Sequence, residues 1–169
     1  MEYKINIFNN SEFIIFCNNY KHLPLEDDIE FFSNMDLNLN YTNEYYLNSV
    51  KFIVAYNKDE IIGICKVACP NGKEVKFYYL SINEKYKNKG FSKILIENLI
   101  RIYKINFKNK SLKISCYSTE GWKFLRNNLI KMLDKNNIKY EDSILNYGYR
   151  DEEYFKLRNE SIKIINKNG

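Results

Sequence analysis

Tyr3, Ile5 and Ile7 alternate with polar neighbours, the period of a strand with one buried face. Phe13, Ile14, Phe16 and Cys17 then recur at helical spacing over residues 11–20, with Ser11 in the place of an N-cap. Pro24 interrupts that run, and Ile29, Phe31 and Phe32 predict a second helical piece at about residues 27–35. Residues 36–48, rich in Asn and Tyr, follow neither period.

The pattern sharpens from position 51. Residues 52–56 are a short apolar run, and Asn57, Lys58 and Asp59 supply a turn. A second run, rich in β-branched residues, covers 61–68 and is closed by Pro70, Asn71 and Gly72. A third covers 75–82 through Val75, Phe77, Tyr79 and, after the intervening Leu80, Ile82. Three such runs joined by tight turns predict an antiparallel meander. A polar link over 83–89 ends on Gly90. Beyond it Phe91, Ile94, Leu95, Leu99, Ile102 and Tyr103 mark one face of a helix reaching about residue 106.

Leu112, Ile114 and Cys116 alternate as a further strand, and Trp122, Leu125, Leu129 and Leu133 give an amphipathic helix over 121–133. Two weaker extended segments, 138–145 and 154–164, lie either side of Gly148 and an acidic patch. The order β, α, α, β, β, β, α, β, α, β, β predicts a single α/β domain over residues 1–165. Residues 166–169 have little to bury and are expected to be a disordered tail.

Composition narrows the function. The 169 residues are 45% apolar and 28% charged, which suits a soluble globular domain with a real core. The net charge of +5 is modest and spread along the chain, whereas a nucleic-acid stripe clusters its cations. Phe77, Tyr78 and Tyr79 could stack bases, but neighbours on a strand face opposite sides of a sheet, so a nucleic-acid module ranks low. Cys17, Cys65, Cys69 and Cys116 form no CxxC pair and read as buried thiols of a reducing compartment. The single histidine, His22, removes most zinc chemistry, and no metal is expected. No signal-peptide core or bilayer-length apolar run is visible, so a cytoplasmic protein is the default; oligomeric state has no signature.

One junction carries chemistry. A strand ends at about Ile82, a helix begins near Gly90, and Lys85, Lys87, Lys89 and Lys93 surround the turn. The first N–H groups of a helix have no internal partner and sit at the positive end of its dipole. Glycine lets a ligand approach the backbone closely, so the junction suits a diphosphate. It is neither a P-loop nor a Rossmann fingerprint, because the required glycines and GK[ST] are missing.

The stretch 79–95, YLSINEKYKNKGFSKIL, resembles the acetyl-CoA-binding motif of the GCN5-related N-acetyltransferases, the GNAT superfamily. Lys87 stands in the Arg or Gln position, Gly90 in that of the first Gly, and Ser92 in that of the second small residue. The resemblance extends loosely over residues 51–140 through the order of elements. It implies a GNAT-like domain: a central mixed, mostly antiparallel sheet flanked by about four helices. Backbone amides of Asn88, Lys89, Gly90, Phe91, Ser92 and Lys93 would hold the pyrophosphate of acetyl-CoA, with Lys87 at the turn's start. The backbone of Leu80, Ser81 and Ile82 would pair with the pantetheine arm like an added strand.

The implied reaction is direct attack of an amine on the acetyl thioester in a ternary complex. Its usual tyrosine acid is absent from residues 119–126, which read TEGWKFLR. Tyr117 is the candidate acid instead, with Tyr79 or Ser81 positioning the amine or its water. Glu26, Asp27, Asp28 and Glu30, and then Asp151, Glu152 and Glu153, lie where such a fold recognises its acceptor and would suit a cationic amine. The alternative is a non-catalytic member of the fold that binds CoA or a partner.

Overall fold

A computed structural model describes residues 1–19, 44–114 and 125–142 of the chain. The elements are β1 (Lys4–Phe8), α1 (Asn10–Asn19), α2 (Glu44–Ser49), β2 (Lys51–Tyr56), β3 (Ile61–Ala68), β4 (Glu74–Ile82), α3 (Phe91–Asn106), β5 (Ser111–Ile114), α4 (Arg126–Lys135) and β6 (Tyr140–Asp142). A 3-10 turn covers Glu84–Tyr86 between β4 and α3. The six strands lie in sequence order in one sheet. β2 to β4 form the antiparallel meander that the three runs predict, β1 adds antiparallel to β2, and β5 and β6 add in parallel. The expected mixed, mostly antiparallel sheet of an α/β domain is present.

Every residue of β3 is buried, because helices cover both faces of the sheet. On one face Phe13 and Cys17 of α1 pack against Phe52, Val54, Ile61 and Ile64. On the other, Leu95 and Leu99 of α3 and Leu129 and Leu133 of α4 cover Ile53, Ala55, Cys65 and Val67. Each such aliphatic side chain contributes about 1.5–3 kcal/mol when removed from water. α3 is therefore seated by its predicted apolar face.

Two local readings change. The cap of α1 is Asn9, with Ser11 already inside the helix: Asn9 Oδ1 accepts the Glu12 N–H at 2.9 Å and Glu12 Oε2 accepts the Asn9 N–H at 2.8 Å. This reciprocal pair satisfies two otherwise unmatched donors. The unread 36–48 stretch runs into α2, six residues long and too short to display a period. Ser49 Oγ at its end accepts the Cys69 N–H at 2.7 Å, tying α2 to the end of β3. The helix expected at 27–35, the strand at 154–164 and positions 115–124 lie outside the described residues.

β4 is nine residues long, yet it pairs with β5 only through Glu74, Val75 and Lys76. Just beyond, its register with β3 jumps from Val67↔Phe77 to Lys66↔Tyr79, leaving Tyr78 as the extra residue of a bulge. A bulge bends and twists its strand. On the β5 side, residues 77–82 border no strand among the described residues.

Close contact fixes α3 over this edge. A methyl at Gly63 of β3 would lie 2.6 Å from Ile82 Cδ1, 3.0 Å from the Ser81 carbonyl oxygen and 3.1 Å from Leu95 Cδ1. Gly63→Ala is expected to lower unfolding free energy by about 1–3 kcal/mol, as overpacking does; urea denaturation checks it, and an unchanged midpoint would contradict the close fit.

Candidate functional site

Asn83 starts the link between β4 and α3. Its N–H donates to the Ile62 carbonyl at 2.9 Å, its Nδ2 donates to the Ile61 carbonyl at 3.3 Å, and its Oδ1 accepts the Lys85 N–H at 3.2 Å. The side chain is thereby buried with its polar atoms matched, and it opens the 3-10 turn. Tyr86 closes the turn, its N–H donating to the Asn83 carbonyl at 2.8 Å and its ring set edge-on to Phe91 with centroids 5.9 Å apart.

The Tyr86 hydroxyl donates to Glu60 Oε1 at 2.6 Å and accepts from Asn57 Nδ2 at 3.0 Å. Glu60 Oε2 receives the Lys85 ammonium at 3.0 Å and Asn83 Nδ2 at 3.5 Å. Glu60 and Asn57 belong to the β2–β3 turn, which Asn57 Oδ1 shapes by accepting the N–H groups of Asp59 and Glu60 at 2.8 and 2.9 Å. One carboxylate thus joins two turns far apart in sequence. The hydrogen bond from Tyr86, with help from Lys85, holds the Glu60 carboxyl below its ordinary 4.5. The same contacts push the Tyr86 phenol and the Lys85 ammonium upward.

Past Tyr86 the backbone alternates in hand. φ is −57° at Lys87, +61° at Asn88 and +87° at Gly90, with Lys89 outside the positive region. Left-handed φ at Asn88 and Gly90 bends the chain sharply into α3. Gly90 is the left-handed cap of α3 and brings no side-chain bond to it. A Cβ there would meet nothing within 4 Å, so the backbone angle demands the glycine and the flank stays open to approach. The first helical bond runs from the Ile94 N–H to the Gly90 carbonyl at 3.3 Å. The N–H groups of Gly90, Phe91, Ser92 and Lys93 therefore have no carbonyl within the helix, and the dipole of a 16-residue helix adds positive potential there.

The four lysines do not form the cationic ring expected of them. Lys85 is bound to Glu60, Lys87 to Glu84 at 2.6 Å, and the Lys89 ammonium lies 5.3 Å from the centre of the Tyr86 ring. Lys93 stands exposed in the first turn of α3. Three of the four lysines thus have a partner within the turn or its neighbouring hairpin.

Leu80, Ser81 and Ile82 lead into the turn at the end of β4, half-buried and paired on one side with Cys65, Ile64 and Gly63. Their other edge is the one without a described neighbour. The bulge also overrides strict alternation: Tyr78 and Tyr79 both pack on the α1 face, while Phe77, Leu80 and Ile82 pack on the α3 face. The objection that adjacent side chains must diverge therefore does not apply to that pair. Beside them Lys66, 2% exposed, places its ammonium 4.8 Å from the Tyr78 ring centre, 5.6 Å from that of Phe52 and 6.0 Å from that of Tyr79. Tyr117, Cys116 and both acidic acceptor clusters lie outside the described residues.

Cys17, Cys65 and Cys69 are free and buried. Burial pushes the Cys17 thiol up to about 11 and raises that of Cys65 as well, so neither supplies a thiolate nucleophile near neutral pH. A cavity of about 690 Å³, lined by Lys104, Lys108, Lys110 and Lys139 among others, lies at the far end of α3 from the turn. None of the described helices is long and apolar enough to cross a membrane.

The Glu60 network gives a pH signature. Because its folded value is depressed, its contribution is present above the unfolded value near 4.5 and is lost as pH falls through the folded value. Wild type should exceed Glu60→Gln in stability at neutral pH, with the gap closing below about pH 4.5 in urea titrations. Parallel curves down to pH 3 would contradict the assignment.

No family model matches the sequence, and no curated protein does either. Solved structures do. An aminoglycoside acetyltransferase from an uncultured soil metagenomic sample is 15% identical, with 90% of this chain and 100% of that one covered and a TM-score of 0.50. An aminoglycoside N-acetyltransferase in complex with CoA is 13% identical, covering 88% of this chain and 99% of that one at a TM-score of 0.48. A ribosomal-protein-alanine N-acetyltransferase from Brucella melitensis is 13% identical, covering 89% and 100% at a TM-score of 0.46. The first likeness reaches the level at which a shared fold is meaningful, and the mixed six-stranded sheet with its helices is consistent with a GNAT-like α/β fold.

Proposed function

We propose that the chain is an acetyl-CoA-dependent N-acetyltransferase that moves the acetyl group to an amine acceptor. One observation carries this reading: a strand edge without a described neighbour, residues 77–82, leads directly into an anion-receiving backbone turn at residues 87–93. Coenzyme A has the same two parts in the same order, an arm with two amides and then a diphosphate. The edge of Leu80, Ser81 and Ile82 can pair with the arm as a strand pairs with a peptide. The N–H groups of Asn88 to Lys93 can receive the phosphate oxygens, and Lys93 adds charge at close range. When bound, acetyl-CoA supplies an acyl group activated as a thioester.

The chain's part is to orient and to handle protons. In the transfer, the amine nitrogen bonds to the carbonyl carbon, the carbon–sulfur bond breaks, and the sulfur leaves as a thiol with the proton the amine gives up. Tyr79 and Ser81, opposite Lys66 and Ile64 on β3, face away from α3 and would position the amine. Tyr117, next in sequence after Cys116, would relay that proton, giving its own to the departing sulfur and taking up the one the amine gives up. The acceptor assigned is a cationic amine, on the acidic groups at 26–30 and 151–153 and on the likeness to an aminoglycoside acetyltransferase.

Acetyl-CoA at one hundred times its Kd should stabilise the fold by about 2.7 kcal/mol, seen as a rise of several degrees in melting temperature. Gly90→Asp, which sets a carboxylate against the diphosphate, should abolish the shift while the variant stays folded. Thiol release with a panel of amines then separates a transferase from a silent CoA binder. No thermal shift with any acyl-CoA would sink the proposal.

A further inference from the structure

Glu60 lies outside the strand, turn and helix that would hold CoA, on the turn between β2 and β3. Three donors from the first residues of the CoA turn nevertheless converge on its carboxylate: Tyr86 Oη at 2.6 Å, Lys85 Nζ at 3.0 Å and Asn83 Nδ2 at 3.5 Å. Its own turn is braced by Asn57, whose Oδ1 holds the Glu60 N–H and whose Nδ2 reaches the Tyr86 hydroxyl. Tyr86 is 8% exposed and carries Phe91, the first residue of α3, on its ring. The chain of contact therefore runs from a carboxylate on one hairpin, through a buried phenol, to the start of the helix whose amides face the ligand.

We propose that Glu60 is the positioning residue of the CoA site: it presets the path of residues 83–91, so that the amides of Asn88 to Lys93 converge before the diphosphate arrives. It touches no ligand itself. It also pairs with the Lys85 ammonium at 3.0 Å. The inference rests on the acetyl-CoA reading above and adds the device that shapes that site.

The physical gain is pre-organisation. Ordering a loop on binding costs conformational entropy, and a turn already held by charge-assisted bonds avoids that cost. Glu74 offers an internal control. It forms an ion pair of the same length with Lys113, 3.0 Å, at the other end of β4 from the turn. A carboxylate that merely stabilises the fold should behave alike at the two places.

The test is calorimetric titration of the full chain with CoA at a temperature well below every melting point. Wild type, Glu60→Gln, Glu74→Gln, Tyr86→Phe and the Glu60→Gln/Tyr86→Phe double variant are compared. Glu60→Gln should weaken CoA about tenfold, the scale of one charge-assisted hydrogen bond, while Glu74→Gln leaves Kd unchanged. Because Glu60 and Tyr86 act through one contact, the double variant should weaken binding by little more than the worse single variant. Equal Kd values for wild type and Glu60→Gln would overturn the positioning role and leave the acetyl-CoA reading standing. Equal losses in Glu60→Gln and Glu74→Gln would overturn it too, as would fully additive effects of the pair. No CoA binding by the wild type would remove the reading and the proposal together.

Discussion

The distance between α3 and the sheet at Gly63 governs the architecture of this site. With no side chain on β3 at that point, Leu95 and Ile82 close over the strand and the start of α3 settles beside the end of β4. The link between the two elements, residues 83–90, must then turn sharply, and it does so with positive φ at Asn88 and Gly90. The first turn of the helix leaves several N–H groups without a carbonyl inside it. A larger residue at Gly63 would press on Ile82, the Ser81 carbonyl and Leu95.

The bulge at Tyr78 is the second constraint. Pairing between β4 and β5 ends at Lys76 and Lys113, one residue before the register with β3 shifts. A parallel partner continuing along β4 would consume its remaining edge. Among the described residues, the edge from Phe77 to Ile82 on the β5 side has no strand beside it and runs into the turn at residues 83–90. Lys85 and Lys87 are paired with Glu60 and Glu84 at the surface of the turn.

Some of this was legible in the sequence, and the reasons differ by residue. Gly90 could be read because it is an isolated glycine exactly where periodicity switches from two to 3.6 residues. The bulge left a trace as well: Val75 and Phe77 share a phase that Leu80 and Ile82 do not, which only an extra residue between them reconciles. Glu60 left none, since its partners Lys85 and Tyr86 lie 25 and 26 residues away and no local pattern encodes such a reach. The fates of the four lysines were hidden for the same reason, because side-chain charge says nothing of its partner until the turn is folded. α2 is too short to show a period, and the cap that Ser11 resembles in sequence is formed by Asn9 and Glu12 through a reciprocal bond.

The central claim is that backbone amides at residues 88–93 receive the diphosphate while the edge of β4 receives the arm behind it. Titration of the isotope-labelled chain with CoA, read as backbone amide chemical shifts, tests it most directly. The account predicts the largest shifts at Asn88, Gly90, Phe91, Ser92 and Lys93, with a second group at Leu80, Ser81 and Ile82. Shifts confined to the lysine-lined cavity at Lys104, Lys108 and Lys139, with residues 88–93 unmoved, would contradict it.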